Sequence, residues 1–276
     1  MVEEIRAKKG KGSPVLALFA LYARSSFRKI LVVFAGMVIA EGTLFYRGCR
    51  LLEQSGGVVG PEKMIDLCFF KYIFLAALVL VAFILGVTEG DRGGCKSSYT
   101  LLRLRVSRKQ QFAVKTVYNF LCLMLVFAVQ ILTALVVCRI YETRLPSELL
   151  SPQYLFLIFY RNEFLHCILP MADVGKWACV LLLLLALAMD AAYVWNRNGD
   201  GSRNKNGNGS VGGFGRKRGV DGNVRNGVLL SITHFCILPQ WFVSEINSPL
   251  TLLCVLYCIA IIVVVLLRLL QSRDGN

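Results

Sequence analysis

Glu41 and Lys71 are ionisable side chains set inside long apolar runs, Ile30–Tyr46 and Leu67–Val87 respectively. Charge in such surroundings is costly and marks a functional suspect. Each residue lies about five positions from the same end of its run if the two runs are antiparallel neighbours. Pairing at that common depth would offset much of the desolvation cost. The chemistry on offer is therefore an intramembrane charge pair, either a structural tie or a step on a substrate path. Snorkelling of Lys71 to the interface is the competing explanation. Gln130, Thr133 and Asn119 share a third apolar run and suit hydrogen bonding between helices. Asp190, near one end of a fourth, is expected to meet water or nearby bases.

No other constellation amounts to a catalytic set. The two histidines, His166 and His234, stand far apart. There is no H-E-x-x-H, no G-x-S-x-G and no G-x-x-x-x-G-K-[ST] phosphate loop. The chain is thus not expected to be an enzyme, nor to hold a metal or cofactor. Most of the ten cysteines lie in apolar runs, where the thiol behaves as a small apolar group. Cys254 and Cys258 share a helical face without a nearby His or carboxylate, which favours packing over metal binding. Cys49 and Cys167 are candidates for a disulfide that spacing alone does not decide. Gly207 to Gly212 formally matches G-x-G-x-x-G, but no strand precedes it and no helix follows it.

The elements that must position these residues are apolar helices. The chain has 276 residues, 56% hydrophobic and only 17% charged, with a mean hydropathy of +0.59. About 20 apolar residues cross a bilayer core. Ile30–Tyr46, Leu67–Val87, Phe112–Cys138, Trp177–Trp195 and Leu250–Leu270 meet that need well, and Val228–Glu245 meets it less well. Tyr154–Pro170 carries Arg161 and Glu163 at its centre. Each charge there costs roughly 2.5–3.5 kcal/mol, so this run reads as interfacial. Val15–Ala23, short, flanked by bases and preceded by Ser13-Pro14, reads as an interfacial helix ahead of the first span, with a longer, bent first helix as the alternative.

Basic residues then orient the chain. Seven Lys and Arg fall in residues 1–29, seven in 88–115 and seven in 196–227; with Arg268 and Arg273 they make 23 of 31. Six spans with both termini in the cytosol place all of these inside. Counting Tyr154–Pro170 as a seventh span abolishes the asymmetry. The formal charge of +14 is therefore explained by topology, and nucleic acid is not an expected partner.

The expected fold is an all-α polytopic membrane protein with six transmembrane helices and an N-terminal interfacial helix, forming a single transmembrane domain over 1–276. Residues 1–29 are a cytoplasmic N-terminus, 30–195 spans one to four, 228–270 spans five and six, and 271–276 a cytoplasmic tail. Residues 196–227, with ten Gly and seven Asn, read as a flexible cytoplasmic linker.

The segment between the second and third spans is the most informative. Ser97 or Ser98 can cap a short basic helix carrying Leu101, Leu102 and Leu104. Ser107 can cap the next span, with Gln110 completing a capping box. Apolar residues among bases on a helix joined to a span could dock into a groove on a soluble partner. The competing explanation is an amphipathic turn resting on lipid.

This segment resembles the cytoplasmic coupling segment of type-2 permeases of ATP-binding-cassette transporters. Thr100, the leucines, Val106-Ser107-Arg108 and Lys115 carry the likeness, with Arg105 where Pro is usual. The resemblance implies a multi-pass permease of the cell membrane that dimerises with itself or a related subunit. It further implies transport powered by a separate ATP-binding subunit, which performs any ATP hydrolysis. Tyr99, Thr100, Leu101, Leu102, Leu104, Ser107 and Arg108 are the expected partner contacts. The rival expectation is a non-transporting membrane scaffold or sensor subunit.

Overall fold

The computed structural model describes residues 14–55, 60–87, 107–144, 153–170, 173–203 and 249–271. All regular structure among them is helical. The helices are α1 (Pro14–Ser55), α2 (Pro61–Leu67), α3 (Phe70–Val87), α4 (Arg108–Glu142), α5 (Tyr154–Arg161), α6 (Glu163–Ile168), α7 (Val174–Arg203) and α8 (Pro249–Gln271). Three stretches, Val15–Gln54, Lys109–Glu142 and Val174–Tyr193, are long and apolar enough to cross a membrane. Helices α3 and α8 contribute the shorter apolar runs Phe70–Gly86 and Leu252–Leu267. Together these point to a multi-pass membrane protein. The expected span Val228–Glu245 lies outside the described residues, as do Tyr99, Thr100, Leu101, Leu102 and Leu104.

The expected interfacial helix is not a separate element. Helix α1 runs unbroken from Pro14 to Ser55, so Val15–Ala23 and the first span are one rod. The stretch Arg24 to Lys29 contains neither Gly nor Pro, so no residue interrupts the backbone ladder. Ser25 and Ser26 donate their hydroxyl protons back to the Tyr22 carbonyl, at 3.1 and 3.0 Å. These polar side chains are thus satisfied within the helix. Leu18, Tyr22, Ser26 and Ile30 are buried at i, i+4 spacing and hold this part of the rod against the bundle.

Two further boundaries move. Helix α7 continues to Arg203, so residues 196–203 are helical where a linker was expected. Extending an existing helix needs no new nucleus, which lets it pass through residues of poor propensity. At the start of the second apolar run the chain turns a corner between α2 and α3, where Phe69 adopts φ 59°. That conformation is strained for a residue with a β-carbon. By contrast, Tyr154–Pro170 behaves as its central charges require. It breaks at Asn162 into α5 and α6, of eight and six residues, neither long enough to span.

Contacts along the rods fix their directions. Helices α1 and α4 run the same way, since Ser26 meets Tyr118 early in both and Phe45 meets Tyr141 late in both. Helix α3 runs against them: Cys68, just before it, reaches the Leu44 carbonyl, and Phe74 stacks edge-on with Phe127, well before Tyr141. Helix α7 also opposes α4, because Asn119 bonds Ala188 and Phe112 clusters with Met189 and Ala192. Helix α8 is parallel to α7. Its Cys258 stands near Cys179 early in α7, while Ile261 and Val265 join Met189 and Ala192 further on. One end of the bundle therefore collects the starts of α1 and α4 with the ends of α3, α7 and α8. The short helices α2, α5 and α6 close the other end.

The rods are apolar on both faces. On α4, Phe112, Leu123, Val126, Ala134 and Val137 are buried while Leu121, Leu125, Leu132 and Val136 are exposed. An outward face of that composition suits lipid rather than water.

Candidate functional site

Helix α4 starts at a fully formed cap. Ser107 is extended, at φ −63° and ψ 148°, and its Oγ accepts the Gln110 amide proton at 3.3 Å. The Ser107 amide in turn donates to Gln110 Oε1 at 3.4 Å. This reciprocal box satisfies donors that the first turn leaves open. Ser107 is thus the junction between the candidate coupling segment and a 35-residue rod. Arg108, the other described member of that segment, is the first helical residue.

Two turns further on, α4 is tied to its neighbours by polar side chains. Lys115 is 0% exposed, with Nζ 4.7 Å from the Tyr22 ring centroid and 5.7 Å from that of Tyr118. An ammonium held over two aromatic faces gains the ring-quadrupole attraction in a dry setting. The Tyr118 and Ser26 hydroxyls meet at 2.6 Å, joining α4 to α1. Asn119 Nδ2 donates to the Ala188 carbonyl at 3.2 Å, joining α4 to α7. Residues 115, 118 and 119 share one helical face, so this knot binds three rods at one level. No family model, curated protein or solved structure matches the chain. The site is therefore read from its own geometry.

The structure does not bring Glu41 and Lys71 together. Their depths are close, as the Cys68 contact with Leu44 requires, but Glu41 is fully buried while Lys71 is partly exposed. Glu41 points into the bundle, where the Gln130 amide is the polar side chain acting on it. Lys71 is partly exposed and bears on Cys167 of α6. Equal depth is a one-dimensional criterion, and the helical angle defeats the pairing. Thr133 donates to its own Val129 carbonyl at 2.9 Å rather than across helices. Asp190 is only 3% exposed, which goes against contact with bulk water; the bases of 204–227, the other expected partner, lie outside the described residues.

The opposite end of the bundle is organised by Asn162. Its Oδ1 accepts from Leu165 N at 3.0 Å, capping α6. Its Nδ2 donates to the Glu62 carbonyl and to Asp66 Oδ1, both at 3.0 Å, fastening α5 and α6 to α2. Nearby, burial pushes the His166 imidazole below its ordinary pKa, and Lys176 adds to this while Asp173 opposes it. Burial likewise pushes the Cys167 thiol up. Cys49 and Cys167 form no disulfide: Cys49 is buried on α1 and interacts with Cys68, while Cys167 is influenced by Lys71. Among the described residues no three His, Cys, Asp or Glu side chains gather as metal ligands.

Sequence reasoning missed Lys115 and Asn162 as organising residues. Lys115 counts among the cytoplasmic bases and among the residues that carry the permease likeness, yet its spacing from Phe112, Tyr118 and Asn119 placed it on the inward face. Asn162 lies between the Arg161 and Glu163 charges that make Tyr154–Pro170 interfacial, and Asn followed by Glu163 is a recognisable helix start.

Proposed function

We propose that this chain is the membrane-spanning subunit of a transporter of the ATP-binding-cassette type, driven by a separate ATP-binding subunit that docks on the segment Tyr99–Arg108. The observation that carries the reading is the route from that segment into the bundle. Ser107 and Arg108, the last two residues of that segment, form the capped start of α4. The ties of Lys115, Tyr118 and Asn119 then connect α4 to α1 and α7. A push on the segment would shift three rods together, which is what alternating access driven by an external motor requires.

The helix directions support the six-span plan. Because α8 is parallel to α7, the chain between Arg203 and Pro249 has to return to the end where α7 begins. A fifth span at Val228–Glu245 would provide that return. Under that plan the basic groups at 1–29, 88–115 and 196–227, with Arg268 and Arg273, would adjoin the same end of the bundle. An excess of bases at one end is the mark of a cytoplasmic face, and on this reading the docking segment would belong to it.

Co-purification of the full chain in mild detergent tests the proposal. An ATP-binding chain is expected to accompany it, and Leu102→Asp is expected to release that partner without loss of the helical fold. Recovery of the intact membrane protein with no nucleotide-binding chain would overturn the transporter reading and favour a scaffold or sensor subunit.

A further inference from the structure

The facing side chains of α1 and α4 support one inference that does not depend on the transporter reading. Glu41 and Gln130 are both 0% exposed. Both Glu41 oxygens and both Gln130 amide atoms lack a hydrogen-bond partner among the described residues, although the amide acts on the carboxyl group. Buried polar atoms of native proteins are almost always satisfied, so four together call for an explanation.

Among the described residues no charged side chain bears on Glu41. Lys71 of α3 acts on Cys167 instead. Lys115 of α4 is enclosed by Tyr22 and Tyr118, well down the rod. Arg139 of α4 pairs at the surface with Glu142, and Glu62 of α2 with Arg161. An ionised carboxylate out of water without a counter-charge is far costlier than a neutral acid. A metal ion would not resolve this. Hard cations take six or more oxygens, and no three-residue ligand group exists among the described residues. The Thr133 hydroxyl is already committed to Val129.

A carboxylic acid and a primary amide, in contrast, are complementary. The acid O–H donates to the amide oxygen, and an amide N–H donates to the acid carbonyl oxygen. One proton then satisfies groups on both helices. We propose that Glu41 and Gln130 form a proton-binding site in the bundle interior, with the proton on Glu41 and shared with Gln130 across the α1–α4 interface. With the proton in place the two side chains clamp α1 to α4. Releasing it leaves a charge that only water can stabilise, and admitting water requires the two helices to part.

Infrared spectroscopy of the full chain in lipid vesicles at neutral pH tests this directly. The carbonyl band of a protonated carboxylic acid is expected in the wild type. It is expected to be lost from the difference spectrum of Glu41→Gln and retained in Asp190→Asn. Gln130→Asn withdraws the amide by one methylene and is expected to move the band as the hydrogen bond weakens. A wild-type spectrum without a protonated-acid band overturns the proposal with no variant needed. A band removed by Asp190→Asn but untouched by Glu41→Gln overturns it too, as does one unmoved by Gln130→Asn.

Discussion

Replacing Asn162 should loosen one end of the bundle by an amount that can be worked out from its three hydrogen bonds. Its cap on Leu165 N contributes about 1 kcal/mol. Its bonds to the Glu62 carbonyl and Asp66 Oδ1 contribute about 1 kcal/mol each, since both acceptors lie near solvent. Asn162→Ala removes all three, for a loss of up to roughly 3 kcal/mol, because contributions sharing one side chain are not strictly additive. Asn162→Asp keeps the cap but has no proton for α2 and sets a second carboxylate beside Asp66, for a loss of about 2 kcal/mol.

Cys68 reports the result, because it caps the C-terminus of α2, is 4% exposed and contacts the Leu44 carbonyl. When reclosing outpaces labelling, its reaction with a maleimide follows the opening equilibrium of this unit. At a factor of ten for each 1.4 kcal/mol, Asn162→Asp should raise the Cys68 labelling rate roughly thirtyfold and Asn162→Ala roughly a hundredfold. Mass spectrometry of the Cys68 peptide from the full chain in detergent micelles measures both. Acceleration in Asn162→Ala but not in Asn162→Asp would reduce Asn162 to a helix cap and refute its tie to α2. Wild-type rates in both variants would refute the whole account.

At Gly48, a β-carbon would lie 2.5 Å from Met64 Cε and 3.1 Å from Cys68 Sγ. The Met64 tip is flexible and alanine gains about 1 kcal/mol of helix propensity, so Gly48→Ala should be close to neutral in thermal unfolding. Gly48→Leu drives bulk into both neighbours and should cost about 1–3 kcal/mol; a leucine variant as stable as wild type would contradict the close contact of α1 with α2. His166 gives a pH signature. Its folded pKa is below the ordinary 6.5, so between the two values the unfolded chain binds more protons. Stability should be complete above about pH 6.5 and decline as pH falls through the window below it. His166→Gln should remove that decline, and an identical pH profile in the variant would sink the assignment.

Sequence periodicity and charge located much of this architecture without a structure. The apolar runs in α1, α3, α4, α7 and α8 were visible because a bilayer core demands about 20 uncharged residues whatever their partners. The capping box at Ser107 and the interruption of Tyr154–Pro170 by Arg161 and Glu163 were legible for a similar reason. A cap depends on residues three apart, and central charges forbid a span locally. Boundaries were harder to read. The absence of Gly and Pro from Arg24 to Lys29 permits a continuous rod, but its course there depends on the burial of Leu18, Tyr22, Ser26 and Ile30 against the bundle, a tertiary contact.

The sequence by itself determined that this is an apolar, helical chain with its bases gathered in a few segments and no catalytic motif. Those are properties of single segments and of summed transfer free energies. Only the tertiary structure decided which way each buried polar group faces. It turned Glu41 toward Gln130 rather than Lys71, enclosed Lys115 between two tyrosines, and set α8 parallel to α7. Each of these depends on the rotation of one helix about its axis relative to another, an angle that packing sets and that position along the chain does not encode.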